Sequence, residues 1–116
     1  MRLAGRGGGE TPPSLTLRES NPHYGGLATF SVTYPEMRWS PRVRVLCRQN
    51  GEVVYQYSQG PEGDPWAPQF HLWDAVWAAH GGGPANCEAD LYYYTWRGHE
   101  QTGVVYLAHR EFTAAG

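Results

Sequence analysis

Two segments of alternating polarity each carry one of the chain's two cysteines, and the segments match one another position by position. One reads Arg42-Val43-Arg44-Val45-Leu46-Cys47-Arg48, the other Asn86-Cys87-Glu88-Ala89-Asp90-Leu91-Tyr92-Tyr93. A period of two puts Val43, Val45 and Cys47 on one face of the first, and Cys87, Ala89, Leu91 and Tyr93 on one face of the second. With the cysteines opposed in an antiparallel pair, Val45 meets Ala89 and Val43 meets Leu91. On the other surface Arg44 meets Asp90, so apolar faces apolar and opposite charges face each other. One register satisfies all three demands. It predicts an all-β chain in which these strands are neighbours in a β-sandwich.

A chain of 116 residues suits one domain with one core. The net charge of −2 argues against a nucleic-acid binder driven by phosphate contacts. The N-terminal stretch has no apolar run of the signal-peptide kind, and nothing later approaches a membrane span. The expectation is a protein made in a cytoplasm, with no membrane partner. Cytosolic thiols normally stay reduced, so two buried free thiols are the alternative to a Cys47–Cys87 disulfide. The shared register favours the bond, and closing a loop of about 40 residues would contribute about 4 kcal/mol in the chain-entropy model. All nine basic residues are arginine, with no lysine or isoleucine, alongside fifteen Gly and nine Pro. That bias suggests a GC-rich coding genome, such as that of an actinobacterium or its phages.

Residues 1–13 read as a Gly-rich arm, carrying Arg2 and Arg6 and ending in Pro12-Pro13, without apolar periodicity. Residues 14–116 read as the sandwich. A short strand at Ser14–Ser20 is followed by a turn at Asn21–Gly26. A second strand, Leu27–Tyr34, turns Ala28, Phe30, Val32 and Tyr34 inward. Asn50-Gly51 after the Cys47 strand is a hairpin signal, since both positions of a type I′ turn need positive φ. Val53–Tyr57 returns as the fourth strand. Gln69–Trp73 is a fifth, and Asp74–His80 one helical turn with Asp74 as its cap, stopped by Gly81-Gly82-Gly83-Pro84. The Cys87 strand comes next, then a loop over Arg97–Gly103, and a closing strand from Val104 to Thr113. About seven antiparallel strands at this spacing fit a sandwich.

The chemical motifs are few. His23, His71, His80, His99 and His109 show no ligand spacing, and two cysteines 40 apart make no zinc knuckle. No nucleophile elbow, phosphate loop or zinc-protease motif is present. Neither metal nor cofactor is expected, and an enzyme using Cys47 and Cys87 is disfavoured by their apolar mid-strand neighbours. Sixteen aromatics are more than so small a core obviously needs. Trp73 and Trp77 are expected to plug an end of the sandwich. Tyr92, Tyr94 and Trp96 alternate on the face opposite Cys87, with Tyr55 and Tyr57 extending the stripe. Aromatic and arginine side chains together mark protein interfaces, and a sugar-stacking platform is the competing reading.

The chain resembles an immunoglobulin-like domain from about Ser14 to Ala114, in strand count, hairpin placement and a strand-centred second cysteine. It departs from true immunoglobulin domains because Val32 occupies the place of their first cysteine, and no tyrosine corner is present. Val43-x-Val45-x-Cys47-x-x-Asn50-Gly51, then Ala85-Asn86-Cys87-x-Ala89-x-Leu91-Tyr92-Tyr93 and a last strand ending Glu111-Phe112-Thr113, looks like small immunoglobulin-like proteins of actinobacterial phages. The resemblance implies a non-enzymatic virion structural protein, decorating or stabilising a capsid surface, with a tail component as second choice. It implies the major capsid or tail protein of the same particle as partner, with self-association, and a location on the virion after synthesis in the host cytoplasm. The alternative is a cell-surface adhesion or glycan-binding domain, and a decoration protein that also touches host surface glycans joins the two.

Overall fold

The computed structural model describes residues 12–62 and 66–116. In chain order its elements are β1 (Ser14–Leu17), β2 (Leu27–Thr33), β3 (Arg42–Gln49), β4 (Glu52–Gln59), β5 (Gln69–His71), α1 (Ala75–Ala79), β6 (Ala85–Arg97) and β7 (Glu100–Ala114). The strands form two antiparallel sheets, one ordered β1-β2-β5 and the other β4-β3-β6-β7. The arm over 1–13, with Arg2 and Arg6, lies outside the described residues apart from Pro12 and Pro13. Pro12 is tied down where its carbonyl accepts from Thr33 Oγ1 at 3.0 Å.

The centre of the four-stranded sheet is the β3–β6 pair. Cys47 opposes Cys87, Val45 opposes Ala89 and Val43 opposes Leu91 on the inner face, while Arg44 opposes Asp90 on the outer. Val43, Val45, Cys47, Ala89 and Leu91 are fully buried. The two sulfurs are bonded at 2.08 Å, and their Cα atoms are 4.0 Å apart. Such close approach belongs to a non-hydrogen-bonded antiparallel pair, where Cα atoms sit about 4.5 Å apart. The bond therefore joins neighbouring strands of one sheet and does not cross between the layers.

Across the sandwich, Leu15, Phe30, Phe70 and Leu72 complete the core. The Phe30 ring meets Phe70 and Phe112 edge-on, at 5.9 and 6.1 Å between centroids, an arrangement the ring quadrupoles favour. Asn50 and Gly51 adopt φ of +50° and +85°, the left-handed pair that a two-residue hairpin needs. Asp74 caps α1 by accepting from Val76 N at 2.9 Å. The helix delivers Trp77 wholly into the core, where its Nε1 donates to the Gly83 carbonyl at 3.1 Å. Trp73 does not join it and is 46% exposed. The cause is the extended backbone at Asp74 (φ −156°, ψ 154°), which keeps Trp73 off the helix face that Trp77 occupies.

The expected loop over Arg97–Gly103 is instead mostly strand. β6 and β7 turn on Gly98 and His99 alone, with Gly98 at φ +61°. Glu100 to Thr102 are polar, yet a ribbon exposed to water on both sides accepts polar side chains without losing its backbone ladder. At the other end of β7, Ala115 N donates to the Pro22 carbonyl and Tyr24 N to the Ala115 carbonyl, each at 2.8 Å. These bonds fasten the end of the chain to the segment entering β2.

Replacing both cysteines, as Cys47→Ala/Cys87→Ala, should lower unfolding free energy by about 2–4 kcal/mol in urea titrations while leaving the native fold intact. An unchanged midpoint would show that the cross-link contributes nothing. Trp77→Ala should cost about 3–5 kcal/mol by opening a cavity at the sandwich end.

Candidate protein-binding face

Strand pairing decides which side chains meet on the outer surface of the four-stranded sheet. Outward from β3 come Arg42, Arg44 and Arg48, and opposite them on β6 stand Tyr92, Asp90 and Asn86. Beyond Tyr92 the strand β3 has ended, and β6 and β7 continue as a two-stranded ribbon. On β7, Glu111, His109, Tyr106, Val104 and Gln101 lie opposite Glu88, Asp90, Tyr92, Tyr94 and Trp96. The face thus divides into a charged half near the disulfide and an aromatic half toward the ribbon tip.

The charged half is a chain of contacts centred on Asp90, which is only 6% exposed. Its Oδ2 accepts from Arg44 Nη2 at 3.1 Å and its Oδ1 contacts His109 Nδ1 at 2.7 Å. His109 Nε2 lies 3.4 Å from Glu111 Oε2, and Arg48 Nη1 lies 3.5 Å from Glu88 Oε2. A buried carboxylate with an arginine on one oxygen and an imidazole on the other has partners for its charge. The hydrogen bonds to Asp90 and then Glu111 hold the His109 imidazole above its ordinary titration range.

The aromatic half is a run of tilted rings. Tyr92 lies 5.4 Å from Tyr94 and 6.0 Å from Tyr106, and Tyr94 lies 6.4 Å from Trp96. Tyr92, buried between its neighbours, forms the floor, while Tyr106 and Trp96 are exposed. Arg44, Gln56, Ser58, Tyr92, Tyr94 and Tyr106 surround an open concavity of about 340 Å³. A second, of about 430 Å³, is walled by Trp39, Arg42, Tyr94 and Trp96. Trp39 also stacks on Tyr93, with centroids 6.2 Å apart and planes 24° apart, so it touches residues of both faces of the ribbon.

Tyr55 and Tyr57 do not extend this stripe by alternation, although Tyr57 borders the first concavity. Tyr55 opposes Cys47 and Tyr57 opposes Val45, so both belong to the inner side of β4. Tyr55 is buried against Trp77, and its loss of water pushes the phenol well above its usual range. Tyr57 is exposed at the sheet edge, where its hydroxyl donates to the Asp74 carboxylate at 2.7 Å. The reason is an irregularity between Cys47 and Arg48 that inserts one residue into β4. Without that bulge Val54, not Tyr55, would stand opposite Cys47, and one added residue flips every later side chain. Sequence reasoning also missed Tyr106, Val104 and Trp39. The first two follow once the turn is placed at Gly98-His99, because that turn sets β7 against Tyr92 and Tyr94.

Among the described residues no three metal-ligating side chains gather, and no helix is long and apolar enough to cross a membrane. What the face offers is an aromatic surface with two shallow concavities, a guanidinium row and a carboxylate held by two partners, which suits recognition of another surface.

The raised His109 value has a definite sign. Protonated His109 is favoured in the fold, so its contribution to stability is complete below about pH 6.5 and is lost as pH rises through the elevated folded value. An NMR titration should place the His109 midpoint above about 6.5, and Asp90→Asn should bring it down. A midpoint unmoved by that substitution would contradict the assignment to Asp90.

Compared with known proteins, the chain matches no protein-family model, no curated protein and no solved structure.

Proposed function

We propose that the protein is a non-enzymatic binding module, an immunoglobulin-like domain that docks through the outer face of β4-β3-β6-β7 onto another protein. The observation that carries this reading is the aromatic surface of Tyr92, Tyr94, Trp96 and Tyr106 beside Arg42 and Arg44. Interfaces concentrate Tyr and Trp because these bring large contact area at little entropic cost, and Arg because its guanidinium offers several directed hydrogen bonds. Strand order supports the immunoglobulin-like assignment. A sheet of β1-β2-β5 facing β4-β3-β6-β7 corresponds to strands A, B and E packed on C′, C, F and G. The in-sheet cysteine bond is the departure, since immunoglobulin domains cross-link their two layers.

The resemblance of the two cysteine-bearing segments to small phage proteins makes the partner the shell of a virion, the capsid first and the tail second. In that setting the module is made in the host cytoplasm and decorates or stabilises the particle, with the arm carrying Arg2 and Arg6 adding a second contact. The disulfide is consistent with a particle that later leaves the cell, where the bond persists. Having both cysteines in the bond leaves no thiolate for nucleophilic work.

A second reading, an adhesion or glycan-binding domain, is favoured by one feature. Trp39, Arg42, Tyr94 and Trp96 wall a concavity in which a sugar ring has aromatic faces and a guanidinium within reach.

Trp96→Ala and Tyr94→Ala should each weaken co-sedimentation with particles by about 2 kcal/mol, roughly thirtyfold. Neither should unfold the domain, because both side chains lie outside its core and act only on the ribbon. Full occupancy by the double variant would remove this face from the mechanism. Binding to a glycan array with quenched tryptophan fluorescence, and none to particles, would select the second reading.

A further inference from the structure

The outermost strand of the four-stranded sheet has a symmetry of its own. β7 pairs with β6 on one side, and among the described residues no strand pairs with its other edge from Glu100 to Arg110. From Gln101 to Ala108 this edge carries neither a charged residue nor a proline, two of the guards that keep an open edge from pairing, and its bulges at Thr102 and Leu107 leave a regular edge only from Gly103 to Tyr106. Val104, Val105 and Tyr106 at its middle are 41%, 37% and 56% exposed. The strand presents apolar side chains and an open backbone ladder together.

The facing of β7 matches about Val105 at its centre and at its ends, though not at the two bulges, which lie three residues before it and two after. Val105 faces the inner side, opposite Tyr93, while Val104 and Tyr106 face the outer side, opposite Tyr94 and Tyr92. Each half then holds one residue without a counterpart on β6, Thr102 in one direction and Leu107 in the other. One extra residue per half keeps the faces in step. Gln101 and His109 both point outward, opposite Trp96 and Asp90, and Glu100 and Arg110 both point inward, opposite Arg97 and Ala89.

A two-fold axis perpendicular to the sheet at Val105 lays a second β7 alongside the first in antiparallel register. Val105 then meets its own mate, Val104 meets Tyr106, Gln101 meets His109, and Glu100 meets Arg110 at both ends. Apolar faces apolar and opposite charges face each other, as cross-strand pairs require. Moving the axis to Val104 or Tyr106 sets Glu100 against Ala108 or Phe112 and abandons both charge pairs. Arg110 is held in place by its Nε, which donates to the Leu15 carbonyl at 2.7 Å. Its Nη groups carry the remaining donors of the fork.

We propose that two copies of this chain associate edge to edge through β7, joining their four-stranded sheets into one continuous sheet about a two-fold axis. Such an isologous contact needs a self-complementary strand, and Val105 is the centre of one. The dimer brings the two aromatic faces side by side, and it does not depend on what those faces bind.

Sedimentation equilibrium of the full chain tests this directly. The wild type should dimerise reversibly. Glu100→Arg and Arg110→Glu should each set like charges against each other at both ends and weaken the dimer at least about tenfold. An equimolar mixture of the two variants should recover the dimer, because each of its interfaces again pairs opposite charges twice. Val105→Lys, which leaves Arg110 and its bond to Leu15 in place, should also give monomer, and circular dichroism checks that every variant is folded. A wild type still monomeric at about 1 mM would overturn the proposal. So would variants that dimerise as the wild type does, or a mixture that stays monomeric.

Discussion

The antiparallel contact of β3 with β6 is the interaction from which the rest of the molecule follows. It buries Val43, Val45, Cys47, Ala89 and Leu91 on one side, and on the other it sets Arg44 against Asp90. The disulfide sits at one end of this contact and restricts the unfolded chain, while the hydrophobic burial stabilises the fold. A slip of one residue would separate the sulfurs and turn the apolar row to water. The register is therefore held by two unlike forces that agree.

That contact also positions the candidate site. Because β3 stops opposite Tyr92 while β6 runs on to Arg97, the last part of β6 has only β7 as a strand partner among the described residues. An isolated two-stranded ribbon is marginal in water, and aromatic rows on its surfaces compensate. Tyr94 and Trp96 pack along one side, and Trp39 stacks on Tyr93 while bordering Tyr94 and Trp96 as well. The residues that stabilise the ribbon are thus the same residues that make it adhesive. At its base Asp90 ties Arg44 of β3 to His109 of β7 across the charged half.

Legibility in the sequence followed the number of independent demands on each segment. The β3–β6 register was readable because sulfur, apolar and charge pairing coincide. The hairpin at Asn50-Gly51 was readable because few other residue pairs tolerate two positive φ values. The α1 turn was readable from Asp74, whose carboxylate accepts from Val76 N. The facing of Tyr55 and Tyr57 was not, because a single-residue bulge after Cys47 reverses the parity and leaves no mark in composition. The strand character of Glu100 to Gly103 was hidden for another reason. Polar side chains signal a loop when a strand is assumed to bury one face, and here neither face is buried. Trp73 differed from Trp77 because of the extended backbone at one intervening residue, Asp74.

The most direct test of this architecture is proton NMR of the backbone between β3 and β6. In a non-hydrogen-bonded antiparallel pair the two α-protons point at each other and give a strong Overhauser effect. Inward-facing pairs alternate with hydrogen-bonded ones, so such effects should join Cys47 to Cys87, Val45 to Ala89 and Val43 to Leu91. A set displaced by one residue, or the absence of any cross-strand effect between these segments, would contradict the register and with it the outer face that the register composes.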